Sequence, residues 1–192
     1  MAAIAAEKAP AAPSKLPKKI SWEDFRRRYL SREDRYKYEW VNGQVEKTPR
    51  SMDKTQLYIL NNLTNFFIQL KLAKSLDGNL IAEGDTFFAG QHRRPAIAYY
   101  TEAQIQAARS DEDVHPDFVI EVISKKDQAE KVVEKMNDYW AAGVRVIWQI
   151  YPNNQQIHVF HGKQMTVCMG DDLCSAEPVV EGFVLAAREV FK

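Results

Sequence analysis

The sequence lacks the long apolar runs and the cysteine pattern that mark membrane proteins and disulfide-rich proteins. No stretch approaches the ~18 consecutive apolar residues that a membrane-spanning helix requires. The chain has two cysteines in 192 residues, Cys168 and Cys174, which are too few for a disulfide framework. Neither has a second cysteine or a histidine at zinc-site spacing, so we expect reduced thiols in a cytoplasmic protein.

The chain also lacks an excess of charge of either sign. Its 26 Lys and Arg residues balance its 26 Asp and Glu residues. Proteins that wrap nucleic acid by bulk electrostatics are usually basic, so a nucleic-acid contact here would need a local basic cleft. The four histidines have no ligand spacing, because His158 and His161 face opposite sides of one predicted strand. The sequence contains no Gly-rich phosphate loop and no nucleophilic Ser or Cys arrangement.

What remains is the composition of a globular protein, 45% hydrophobic and 27% charged, with room for one well-formed core. The beginning of the chain is rich in Ala, Pro and Lys, and Glu7 and Lys8 interrupt the apolar run that a signal peptide needs. We therefore expect a disordered tail over residues 1–18 and one folded domain over residues 19–192.

The first half of the folded region combines turn signals with helical and alternating patterns. Ser21 with Asp24 resembles a capping box, and Asn42-Gly43 between two alternating segments predicts a β-hairpin. Apolar residues at helical spacing predict a long amphipathic helix. The predicted elements are a short helix from residue 21, the hairpin at 42–43, a helix over 52–74, strands over 79–90 and 93–101 joined around 90–93, and a helix over 101–109.

The second half alternates strand and helix. Residues 116–124 and 144–152 are nearly continuous apolar runs, which is typical of strands buried on both faces. Between them, residues 125–142 predict a helix that ends at Gly143. Because the joints are short, we expect the two strands to be parallel with a right-handed crossover. Two antiparallel strands and a short helix over 186–191 follow. The predicted class is α/β with a mixed sheet.

Glu121 is the most informative residue, because it lies inside the first of these apolar runs. An isolated ionised carboxylate in such surroundings costs several kcal/mol unless a cation, a metal ion or a raised pKa offsets it. The alternative is a carboxylate at a strand end that simply reaches solvent. Buried carboxylates with such partners cluster at functional sites, so we take Glu121 as a candidate site residue.

Lys135 is its candidate partner. It lies about 40° outside the predicted buried stripe of the helix over 125–142. A helix that crosses back over the sheet would hold it above the C-terminal end of the first strand, where ligand sites in open α/β sheets are found. Taken alone, such a Lys is usually a surface residue.

Asp117 cannot share an ion with Glu121, because four residues along one strand span ~13 Å. We expect Asp117 to be an exposed strand-start residue.

Several short segments share an order and a spacing along the chain. They are Glu39–Gly43, Arg94-Pro95 before a strand, Pro116–Ser124, Lys135 with Tyr139 and Gly143-Val144, and Ile150–Pro152. Their order resembles that of the Uma-two family of restriction-endonuclease-type proteins, within the PD-(D/E)xK nuclease superfamily. The resemblance extends from about Ile20 to Phe191. It implies a restriction-endonuclease-like fold, with a central mixed β-sheet flanked by helices.

The resemblance also implies a site. In the family, an Asp after the proline of one strand and a Glu in the next hold Mg²⁺ or Mn²⁺, and a Lys completes the site. Carried onto this chain, Glu121 is a metal ligand, Lys135 is catalytic, and Glu39 points into the same cavity. The Asp position is occupied by Ala96, whose methyl group cannot coordinate a hard cation.

Ala96 leaves several alternatives open. Asp85 and Glu83, on the preceding strand, are candidate replacements for the missing ligand. The chain is then a metal-dependent DNA endonuclease, intact or disabled at Ala96, or a catalytically silent nucleic-acid-binding or interaction module that retains the fold. A small-molecule or protein-interaction domain is the weakest of these hypotheses.

Basic residues near the predicted site are candidate DNA contacts, since phosphate contacts position a protein on its substrate. Mixed solvated surface is the alternative interpretation. The candidates are Arg93, Arg94, Lys125, Lys126 and Lys131. By analogy with endonucleases that cut both strands, we expect a homodimer. The lack of a membrane-spanning apolar run predicts no membrane partner.

Overall fold

The computed structural model describes residues 18–49, 54–74, 76–88 and 90–192. The tail predicted over residues 1–18 lies outside the described residues, except for Lys18. Within the described part of the chain, no helix has the length and apolar character needed to cross a membrane.

Twelve strands and five α-helices make up the described structure. The strands are β1 (Tyr36–Val41), β2 (Gln44–Pro49), β3 (Asn79–Ala82), β4 (Thr86–Phe88), β5 (Gln91–Arg93), β6 (Ile97–Tyr100), β7 (Phe118–Val122), β8 (Val146–Tyr151), β9 (Gln156–His161), β10 (Gln164–Met169), β11 (Leu173–Ser175) and β12 (Val184–Ala186). The helices are α1 (Trp22–Phe25), α2 (Lys54–Lys74), α3 (Glu102–Arg109), α4 (Ala129–Ala141) and α5 (Ala187–Val190). A π-helical turn, Arg26–Leu30, extends α1, and a 3₁₀ turn, Pro152–Asn154, follows β8.

The strands form one large sheet and two smaller sheets. The large sheet has the order β10-β9-β8-β7-β6-β3, and the second has the order β2-β1-β5-β4. β11 and β12 pair with each other. Among the described strands, only β7 and β8 run parallel, joined by α4, while the other strand pairs are antiparallel. The predictions of a mixed sheet and of a parallel pair with a crossover helix are confirmed.

β7 is buried on both faces because a separate core packs on each. Phe118 and Ile120 belong to the larger core, which α2 and the C-terminal segment cover. Val119 belongs to the smaller core beneath α4, together with Met136 and Tyr139. Since side chains alternate along a strand, Glu121 falls on the α4 face with Val119. The continuous apolar run in the sequence therefore consists of two alternating sets of side chains, one facing each core.

Local turn chemistry matches the sequence closely. The Ser21 hydroxyl accepts a hydrogen bond from the Asp24 N–H at 3.1 Å, which caps α1. Asn42 and Gly43 both have positive φ, 51° and 78°, as a tight two-residue hairpin turn requires. The long helix predicted over 52–74 is α2, although residues 52 and 53 lie outside the described part of the chain.

The two strands predicted over 79–90 and 93–101 are wrong as continuous elements, because the chain changes sheets twice. β3 pairs with β6 in the large sheet, whereas β4 and β5 pair with each other in the second sheet. Glu83, with φ 50°, lies at the first change. Pro95, which has no N–H to donate, lies at the second. Alternating apolar residues suit either sheet, so the pattern does not show where the chain crosses between them.

The helix predicted over 125–142 begins later, at Ala129. Asp127 Oδ2 accepts hydrogen bonds from the backbone N–H and the hydroxyl of Ser124, at 2.7 and 2.8 Å. This turn holds residues 124–127 out of the helix. The helix stops before Gly143, which has a left-handed φ of 89°, as predicted.

Candidate active site

Glu121 lies near the carboxyl end of β7, beneath α4, with 11% of its side chain exposed. Its Oε1 accepts two hydrogen bonds, from Lys135 Nζ at 2.9 Å and from the Tyr139 hydroxyl at 2.6 Å. Lys135 and Tyr139 are four residues apart on α4, so both point to the same face of the helix. The cation that the burial of Glu121 calls for is therefore Lys135, as the sequence predicts.

Both donors keep their protons. Burial alone lowers the pKa of Lys135, but Glu121 and Glu39 outweigh it, and the net direction is upward. Burial, followed by the charge of Glu121, raises the pKa of Tyr139 well above its ordinary value. At neutral pH the site therefore contains an ammonium group and a neutral phenol, both of which donate to the same carboxylate oxygen.

Glu39 comes from β1, in the second sheet, and is 3% exposed. Its Oε1 accepts a hydrogen bond from the Arg94 N–H at 2.7 Å and lies 3.6 Å from Lys135 Nζ. Burial raises the pKa of Glu39, but Lys135, Lys37 and Arg93 and the Arg94 N–H together lower it to about 2. The structure thus brings Glu39, Glu121 and Lys135 together, with Lys135 between the two carboxylates.

Arg93, predicted as a DNA contact, is 1% exposed and cannot reach a phosphate on the surface. Its Nε and Nη2 donate to Asp138 Oδ2 at 2.9 and 2.6 Å, and its Nη1 donates to Glu46 Oε2 at 2.7 Å and to Glu39 Oε2 at 3.3 Å. Burial lowers the pKa of Arg93, but Glu39, Asp138 and Glu46 outweigh it, and the net direction is upward. Arg93 is a structural cation that ties α4 to the second sheet, and this corrects the prediction made for it.

Arg94 is also engaged within the protein. Only 11% of its side chain is exposed, its Nε donates to Asp85 Oδ1 at 2.5 Å, and its Nη2 donates to the Leu30 carbonyl at 3.4 Å. The adjacent Arg93 and Arg94 before Pro95 suggest a phosphate-binding patch, but the side chains of both residues bind carboxylates of the protein itself.

The three predicted lysines differ in their availability. Lys125 and Lys126 lie exposed in the loop between β7 and α4, and their ammonium groups have no partner among the described residues. Lys131 is half-exposed and donates to Glu46 Oε1 at 2.5 Å and to Glu134 Oε2 at 2.8 Å. Of the five basic candidates, Lys125 and Lys126 are therefore the ones that remain free for a phosphate.

Ala96 immediately precedes β6, the strand beside β7. The antiparallel register ends with Ile97 opposite Ile120, and continuing it by one residue, to the bend at Ala96, would set Ala96 opposite Glu121. Residues directly opposite each other share a face, with Cβ atoms ~4.5–5.5 Å apart. A side chain at position 96 would thus lie beside the Glu121 carboxylate.

Neither of the acids considered as replacements joins Glu121. Asp85 Oδ1 accepts from Arg94 and is 2.8 Å from His92 Nε2, and Glu83 is exposed. Over the described ranges, no group of three or more His, Cys, Asp or Glu side chains could hold a metal ion. Asp117, whose Oδ2 accepts from Arg145 Nε at 3.0 Å, lies at an exposed strand start, as predicted.

The donor set does not fit a divalent metal ion. Mg²⁺ takes several oxygen ligands in near-octahedral geometry, whereas Glu121 Oε1 and both oxygens of Glu39 already accept hydrogen bonds from cationic or backbone donors. Glu121 Oε2 accepts none from the described residues, and Ala96 contributes a methyl group. One open carboxylate oxygen beside a methyl group is too few ligands.

Tyr139 and Asp138 are the residues that the sequence analysis missed. In the sequence, Tyr139 stands out only among the residues of the family resemblance, and Asp138 does not stand out at all. The signal for Tyr139 was its i, i+4 spacing from Lys135, which places both side chains over the same strand. No local signal indicated that Asp138 would bind Arg93, which lies 45 residues away.

A family model described as "Uma2: Putative restriction endonuclease" matches residues 22–188. The chain belongs to the Uma2 family. Restriction-endonuclease-like families generally use divalent metals. No functionally curated protein matches this Uma2 sequence.

The structure is similar to the crystal structure of a putative nuclease belonging to DUF820 from Anabaena variabilis ATCC 29413. The TM-score is 0.67, with 18% sequence identity, over 80% of this chain and 89% of that chain. At this identity the likeness concerns the fold, which is restriction-endonuclease-like in this Uma2 protein.

Proposed function

We propose that this Uma2 chain has the framework of a divalent-metal-dependent DNA endonuclease and that the alanine at position 96 disables hydrolysis in the present sequence. The observation that supports the proposal is the β6–β7 register, because its continuation by one residue sets Ala96 opposite Glu121. In that register the methyl group occupies the position from which a second carboxylate would hold a metal ion together with the open Oε2 of Glu121.

The remaining parts of such a site are present. Glu121 has one free carboxylate oxygen, Oε2. Lys135 supplies a positive charge, and Lys135 and Tyr139 hold the Glu121 carboxylate in place through its other oxygen, Oε1. A second carboxylate at position 96 would supply the hard oxygen ligands that Mg²⁺ and Mn²⁺ prefer. One side chain, that of Ala96, thus prevents hydrolysis, while the rest of the site keeps its structure.

The test compares four proteins on plasmid DNA with Mg²⁺ or Mn²⁺. The unmodified chain should leave the DNA intact, and Ala96→Asp should cut it. Ala96→Asp combined with Glu121→Gln should be silent again, because one metal ligand is lost. Ala96→Asn is the matched control, since it adds nearly the same volume without the negative charge.

Manganese binding gives a second measurement that does not depend on cleavage. Titration calorimetry should detect Mn²⁺ binding to Ala96→Asp and none to the unmodified chain. Cleavage by the unmodified chain that disappears in Glu121→Gln would contradict the inactivation. A folded Ala96→Asp protein that neither binds Mn²⁺ nor cuts DNA would contradict the metal-dependent framework.

A second function, DNA binding without cleavage, is favoured by the free ammonium groups of Lys125 and Lys126 beside the carboxyl end of β7. Two phosphate contacts predict a slope of log affinity against log salt of about −1.8. Replacing both lysines with alanine should abolish most of this slope. Lys54→Ala, at the exposed start of α2, should not change it. Salt-independent binding, or no binding at low salt, would remove this function.

A further inference from the structure

β10 is an unprotected edge strand. It ends the six-stranded sheet and pairs on one side with β9 over its whole length, Gln164–Met169, without a bulge. The strand contains no charged residue and no proline. Exposed edges with free N–H and C=O groups are templates for pairing with another chain, and proteins usually block them with charges, proline, bulges or short length.

Two other edge strands of the described sheets carry such protection. β2, at the edge of the second sheet, contains Glu46, Lys47 and Pro49. β3, at the far edge of the large sheet, is four residues long and ends beside Glu83, whose left-handed φ of 50° turns the chain away. Of the three edge strands β2, β3 and β10, β10 is therefore the one without such protection.

Exposed apolar side chains concentrate at this edge. Met165, Val167 and Met169 are 53%, 42% and 46% exposed, and they alternate along one face of β10. Leu173, at the start of β11, is 64% exposed. These four account for nearly half of the exposed large hydrophobic residues in the described structure, within nine positions of the chain. Such concentration marks an interaction surface more often than an ordinary solvated surface.

The hydrogen-bonding register shows which backbone groups face outward. The β9–β10 hairpin closes with His161 opposite Gln164, so the even-numbered residues of β10 bond to β9 and the odd-numbered residues point away. Met169 confirms this direction, since its N–H donates to Asp172 Oδ2 and its carbonyl accepts from the Asp172 N–H. The outward N–H and C=O groups of Met165 and Val167 have no partner among the described residues.

We propose that β10 pairs with β10 of a second copy of this chain, antiparallel, about a two-fold axis at Thr166. Met165 of each copy then faces Val167 of the other, and the two pairs exchange four hydrogen bonds through backbone groups that are otherwise free. Thr166 faces its own copy across the axis. A two-fold interface uses the same patch twice, so the assembly closes at two chains.

The charges that flank β10 fit a second copy in this orientation. Lys163 lies at one end, exposed and without an ionic partner among the described residues. Asp171 lies beyond the other end with 78% of its side chain exposed, although Arg188 binds it. Because the two copies of β10 run antiparallel, the axis sets the turn with Lys163 in one copy near the turn with Asp171 in the other. The apolar centre and its oppositely charged ends are therefore self-complementary.

Light scattering coupled to size-exclusion chromatography tests the assembly on the full chain. The unmodified protein should elute at twice the 22.1 kDa chain mass. Val167→Lys should give a monomer, because it places a charge in the apolar centre of the interface. Leu72→Lys, on α2 and 81% exposed, is the matched control and should remain a dimer. A monomeric unmodified protein, or a dimer that Val167→Lys leaves intact, overturns the proposal.

A cysteine at the axis tests the register independently of any disruptive variant. Thr166→Cys places two thiols opposite each other, and diamide should oxidise them to an intermolecular disulfide while taking up their two electrons and two protons. Disulfide-linked dimer on a non-reducing gel is the expected result. The native Cys168 and Cys174 are 1% and 0% exposed, and Leu72→Cys should yield no such product. Absence of the cross-link in Thr166→Cys overturns the axis at Thr166.

Discussion

Two donors on one helix turn hold a single oxygen of Glu121. Lys135 supplies the charge and Tyr139 supplies a short hydrogen bond of 2.6 Å. Hydrogen bonds to charged groups contribute more than bonds between neutral groups, because the ion is stabilised in a poorly hydrated place. Tyr139 thus fixes the orientation of the Glu121 carboxylate, and Lys135 neutralises its charge.

Tyr139→Phe removes only the hydroxyl and should lower the free energy of unfolding by about 2 kcal/mol, measured by urea denaturation. Tyr151→Phe is the matched control, because its hydroxyl donates to the neutral Gln149 Oε1 at 2.9 Å in a partly exposed place. That variant should lose less than about 1 kcal/mol. Equal losses in the two variants would contradict a charge-assisted bond at Tyr139.

The sequence predicts the roles of some site residues and not of others. Glu121 and Lys135 were predictable, because a carboxylate in an apolar run requires a cation and the crossover helix supplies one. Arg93 was not predictable, since sequence shows a charge but not its burial. Its partners Glu39, Glu46 and Asp138 lie 45 to 54 residues away along the chain, and only the tertiary fold brings them to it.

Among the elements, α4 has a double role. It covers β7 and β8 as the crossover helix, and through Asp138 it is bound to Arg93 of β5 in the second sheet. The sequence predicted the first role from the order of strand, helix and strand. The link to Arg93 depends on the places where the chain passes from one sheet to the other, around residues 83–85 and 94–96. The alternating strand patterns do not show these places.

Arg93→Lys should detach α4 from the second sheet in part. A lysine keeps the charge but cannot spread its donors over three carboxylates, so we expect a loss of about 2 kcal/mol, and about 3–5 kcal/mol for Arg93→Met. Hydrogen exchange should show α4 amides losing protection first. Arg145→Lys, in an exposed ion pair with Asp117, should change stability by less than about 0.5 kcal/mol. Undiminished protection of α4 in Arg93→Met would refute this linking role.

For the molecule as a whole, the site is the point where three units meet. The second sheet provides Glu39, the large sheet provides Glu121, and the crossover helix provides Lys135. None of these side chains lies in a loop that could move by itself. The stability of the entire fold is thus coupled to the ionisation of the site.

Acid should therefore unfold this protein partly through Glu39. Its pKa in the folded state is about 2, below the ordinary 4.5, so its stabilising contribution is complete above about pH 4.5 and disappears as the pH falls towards 2. The linked change is on the order of 3 kcal/mol. Urea denaturation from pH 6 to pH 2 should show this fall. Glu39→Gln should start less stable and fall less steeply, and an unchanged slope would exclude Glu39 as the cause.

The methyl group of Ala96 also bears on whether folding requires a bound cation. With alanine there, each buried carboxylate of the site has its cation within the chain. A further acid beside Glu121 would bring a negative charge without a partner, and folding would then be linked to the concentration of a bound cation. We therefore expect the free energy of unfolding of the present chain not to change with the concentration of divalent metal ions.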